Sequence, residues 1–79
     1  MKVRVIVTLK RGILDPQGKA IEGALSSLGL DGLHEVRQGK VFEMNVETTD
    51  RAEAEAKLHA ACEKLLANSV VEDFAIEYV

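Results

Sequence analysis

The apolar residues of this chain change their spacing four times, and each change forces a change of secondary structure. Val3, Val5, Val7 and Leu9 alternate with Lys2, Arg4, Ile6, Thr8 and Lys10, the period of a strand with one buried face. The spacing then becomes helical, because Ile21, Ala24, Leu25 and Leu28 fall at i, i+3, i+4 and i+7. Phe42, Met44 and Val46 return to alternation, with Val41, Glu43, Asn45 and Glu47 on the other face. A second helical stripe follows in Ala54, Leu58, Ala61, Cys62, Leu65 and Leu66, and Phe74, Ile76 and Tyr78 close the chain as a strand backed by Asp73 and Glu77. One-faced strands and one-stripe helices are stable only when they cover each other. That confines the chain to the α+β class.

Local signals mark where the elements begin and end. Gly12 ends the first strand. In Leu14-Asp15-Pro16-Gln17-Gly18, Asp15 is a helix N-cap, since its carboxylate accepts orphan amide hydrogens of the first turn. Pro16 suits the first helical position, where no amide hydrogen is needed. Gly18 inside a helix costs about 1 kcal/mol against alanine. It shares the stripe of Ile21 and Leu25, so close backbone approach to the sheet explains it, and an anion held at the helix end is the alternative. Gly29 supplies a left-handed stop. Asp50 caps the second helix with Glu53 in the capping-box position, Glu53 and Lys57 form an i,i+4 pair, and Asn68 ends the helix in the left-handed region. Val36 shares parity with Phe42, which favours one long strand bent at Gly39. Gly39 equally permits a hairpin turn, and both remain open.

Strand, helix, extended segment, helix and strand over residues 1–79 make a single domain with no linker and no repeat. The expected architecture is a two-layer sandwich, a mainly antiparallel sheet with two helices on one face. This is the ferredoxin-like βαββαβ arrangement, its middle strands either separate or one long bent strand. It sets the first strand beside the last, so that Lys2, Arg4 and Lys10 face Asp73 and Glu77.

A chain of 79 residues buries only about 60–65% of its unfolded surface. Domains this small lean on disulfides, metals or association. One cysteine excludes an internal disulfide, and no Cys/His cluster has metal-ligand spacing. Open sheet edges invite a second copy, so a dimer or tetramer is expected. Ten basic against thirteen acidic residues, and 4% aromatics, argue against a nucleic-acid partner. No apolar run reaches the ~18 residues of a membrane span, and the first residues lack the cleavage pattern of a signal peptide. Together with the lone thiol, these features predict a cytoplasmic protein away from membranes.

No catalytic constellation is visible. Cys62 lies in an apolar stripe without a neighbouring base, His59 sits on the flank of that stripe, and His34 beside Glu35 has no third group. Two exposed features carry positive charge: Lys10-Arg11 before the first helix, and Arg37-Gln38-Gly39-Lys40 at the bend. Each suits an anion or a charged surface on another protein.

The stretches LKRGILDPQG, ALSSLG, VRQGK and CEKLLANSVVEDF together resemble the PurS family, small subunits of phosphoribosylformylglycinamidine synthase, over the whole chain and in order. Ser69 departs from the proline or threonine common after the asparagine. The resemblance implies a non-catalytic subunit, inactive alone, in a three-part ligase of purine biosynthesis. It implies partners in a glutaminase subunit and a synthetase subunit, with ammonia passing between them. ATP and Mg would be used by the complex, and no cofactor or metal would be bound by this chain. Partner contacts are expected at Lys10, Arg11, Asp15, Gln17, Arg37, Gly39, Lys40 and Asn68. A runner-up likeness is to the ACT domain, a small-molecule sensor that binds amino acids near a loop of this kind.

Overall fold

A computed structural model describes residues 1–79. Strand β1 (Lys2–Leu9) is followed by helix α1 (Pro16–Ser27), strand β2 (Gly39–Asn45), helix α2 (Arg51–Ala61) and strand β3 (Glu72–Tyr78). The strands form one antiparallel sheet in the order β2-β1-β3, so the first strand does lie beside the last. The α+β class and the ferredoxin-like element order are as expected.

The register explains why β1 is central. Val5 stands opposite Phe42 on one side and Ile76 on the other, and Val3 opposite Met44 and Tyr78. The alternating apolar residues of all three strands therefore share one face. Val3, Val5 and Val7 are buried with Ala54 and Leu58 of α2 and with Cys62 and Ala67 just beyond it, while Phe42, Met44, Phe74 and Ile76 pack around them. On the outer face Arg4 reaches Glu43 at 3.2 Å and Glu77 at 3.7 Å, tying three strands by charge. These pairs are exposed and contribute little individually.

The middle segment differs from both alternatives. It is neither a hairpin nor a long bent strand, because pairing begins only at Gly39 and the residues before it stay outside the sheet. The sheet thus has three strands, spanning about 10 Å between the outer two, close to the diameter of one helix. One helix covers it, and that helix is α2. No residue of α1 joins the core. Its expected stripe is left open, with Ile21 39% and Leu28 74% exposed. The chain measures 48 × 25 × 14 Å, longer than an eight-residue strand at about 3.3 Å per residue.

Details at the helix ends also depart from expectation. α2 runs into a π-helical turn, Cys62–Leu66, closed by the Ala67 amide on the Cys62 carbonyl at 3.0 Å. The additional residue in that turn rotates the stripe, so Leu65 faces solvent at 82% exposure and Ala67 takes the core position. Asn68 is not left-handed. Its Oδ1 accepts the Val70 amide at 3.1 Å, and its carbonyl accepts those of Val71 and Glu72. The Asp50 carboxylate does cap α2, but Glu53 accepts a hydrogen bond from the Thr48 hydroxyl instead of closing a capping box. The C-terminus of α1 behaves as read: Gly29, at φ +82°, bonds Ser26 while the Leu30 amide bonds Leu25.

Cys62 is fully buried at the junction of helix and π turn, and burial, aided by Glu63, pushes its thiol pKa up. It is a packing residue. Cys62→Ser places a hydroxyl among apolar groups and is expected to cost about 1–3 kcal/mol. Urea unfolding of the two proteins measures this as a lower midpoint at unchanged slope.

Candidate partner-binding site

The loop that links β1 to α1 and the bend that precedes β2 meet at Asp15. This residue is 4% exposed, a depth at which a carboxylate needs several partners. One oxygen accepts the Gly18 amide at 2.9 Å, the N-cap bond read from the sequence. The other accepts the Gln38 amide at 2.8 Å, twenty-three residues away, which no local motif announces. Hydrogen bonds from Gly18 and then Gln38 hold the carboxyl pKa below the ordinary 3.8 against the opposing effect of burial, and the Arg37 charge adds to them.

Gly18 is explained by the same contact. A methyl group there would overlap the Val36 carbonyl oxygen, so the close approach is to the bend and not, as expected, to the sheet. Glu22, one turn further along α1, accepts the Val36 amide at 3.2 Å. Arg37 folds back across the loop, donating to the Lys10 carbonyl at 2.9 Å and the Leu9 carbonyl at 3.4 Å.

The eight residues expected to meet partners are therefore of two kinds. Lys10, Arg11, Asp15, Gln17, Arg37, Gly39 and Lys40 gather around the strand end, whereas Asn68 shapes the turn before β3. Asp15 and Arg37 are occupied by internal bonds. Arg11, Gln17 and Lys40 are exposed, Lys40 lying 5.8 Å from the Phe42 ring. A cleft of about 540 Å³ opens on one side of Asp15, between Arg11, Lys19, Glu22 and Glu35, and a smaller one of about 270 Å³ on the other, bordered by Gln17, Lys40 and Glu72. Their mixed charges offer no converging set of like groups. Glu22 and Glu35 are not among the expected contact residues, although both border this cleft. Glu35 is the one non-glycine residue with positive φ, 55°, and nothing in its side-chain type signals that.

Elsewhere, His59 packs edge-on against Phe74 with ring centres 5.3 Å apart. No three His, Cys, Asp or Glu side chains converge as metal ligands, and no helix is long and apolar enough to cross a membrane.

The sequence model of the PurS family, described as phosphoribosylformylglycinamidine (FGAM) synthase, matches residues 2–79. The chain belongs to the PurS family. Its relatives include the Bacillus subtilis phosphoribosylformylglycinamidine synthase subunit PurS, 45% identical with 96% of this chain and 89% of that one covered. The Mycobacterium leprae subunit PurS is 49% identical over 91% and 87%. Among solved structures, B. subtilis PurS superposes with a TM-score of 0.87 at 45% identity, covering 96% and 94%. A chain in the structure of PurLQS from Thermotoga maritima superposes at 0.91 with 29% identity, covering 99% and 95%. Membership in the PurS family displaces the ACT likeness. The element order and strand pairing described above are thus those of PurS folds.

Asp15 also sets a pH dependence. A carboxyl whose folded pKa is depressed stabilises the fold fully above its unfolded value, near 3.8, and loses that contribution as pH falls through the lower folded value. Asp15→Asn retains an N-cap oxygen but cannot accept both amides in the charged form. The wild-type chain should be more stable than the variant at neutral pH, and the gap should close as acid protonates Asp15. Urea midpoints of both proteins across an acid series check this.

Proposed function

We propose that this chain is the non-catalytic assembly subunit of phosphoribosylformylglycinamidine synthase in purine biosynthesis. In this role it joins a glutaminase subunit to an ATP-dependent synthetase subunit and assists transfer of ammonia between them. The observation that carries the reading is the full-length superposition on a chain of the T. maritima PurLQS complex. Two features of the chain support it. The surface at the strand end presents Arg11 and Lys40 without a reactive pair, and the open face of α1 lacks an intrachain cover.

On this reading the glutaminase releases ammonia, and the synthetase uses ATP and Mg to replace an amide oxygen of the ribonucleotide with that nitrogen. The present chain binds neither cofactor and has no activity alone. It works in the cytoplasm, with no nucleic acid and no membrane as partner. It contributes by geometry: two active sites held in register lose less ammonia to solvent than two that meet by diffusion.

Self-association is part of the same proposal. Only nine residues of 79 are buried, and a twelve-residue helix is marginal without tertiary contacts. Leu14 and Leu28 are more than two-thirds exposed, and both outer strands have open edges. The purified chain should therefore be a dimer or tetramer at micromolar concentration, as read by light scattering, and a stable monomer would refute the point.

Coupling is tested with the three polypeptides mixed, supplied with either glutamine or free ammonium. Charge reversal at Arg11 and Lys40, both to Glu, avoids the internally bonded Arg37 and Asp15. Glutamine-driven turnover should fall sharply and ammonium-driven turnover much less. Equal loss with both nitrogen sources would contradict the coupling role, and wild-type behaviour would remove these cations from the interface.

A further inference from the structure

We draw no further inference here: the strongest candidate, the exposed apolar stripe of Ile21 and Leu28 along α1, carries nothing beyond the self-association already proposed, because nothing in the structure shows what covers it.

Discussion

The buried carboxylate of Asp15 accepts two amides, from residues three and twenty-three positions further along the chain. One oxygen starts α1 and the other fixes the residue before β2. A neutral side chain of similar size would satisfy one of these donors and leave the second buried and unpaired, at a cost comparable to the bond itself. The first turn of α1 and the end of the bend are thus both tied to that one group. Gly18 belongs to the same constraint, because the bend passes too close to the helix for any side chain there.

Sheet width decides the rest. With the segment before Gly39 kept out of the sheet, three strands offer room for one helix, and α2 takes it through Ala54, Leu58 and Cys62. α1 therefore holds an apolar stripe that the chain itself does not bury. An apolar face of this extent on a protein of 79 residues is costly to leave in water. A second copy or a partner subunit removes the cost, and in a proposed assembly subunit the uncovered face is part of the function.

The fold class was legible because hydrophobic period is a local signal. Each strand face, both N-caps and the Gly29 stop could be read from spacing within a few residues. Three features escaped for physical reasons. The π turn that exposes Leu65 depends on how α2 meets the sheet, and the stripe alone cannot show it. The irregular path of residues 31–38 depends on Asp15, Glu22 and Arg37, which act across 14 to 28 positions. And α1 looked like a core helix because its stripe is apolar, although no part of this chain covers it. At the candidate site, seven of the eight expected residues lie near one another in the fold. Residue type did not separate a cation without internal hydrogen bonds, such as Lys40, from one that makes them, such as Arg37.

That separation bears on how the proposed assembly subunit would contribute to a reaction. If the chain bridges two enzymes, its contribution is the fixed relation between surfaces, and the residues that carry it are those that remove freedom. Asp15 fits that description better than any exposed lysine, since it holds the Gln38 amide, which no main-chain group accepts. Substituting a free cation changes one contact. Substituting Asp15 frees both the first turn of α1 and the end of the bend, which changes the shape of the surface rather than one contact on it.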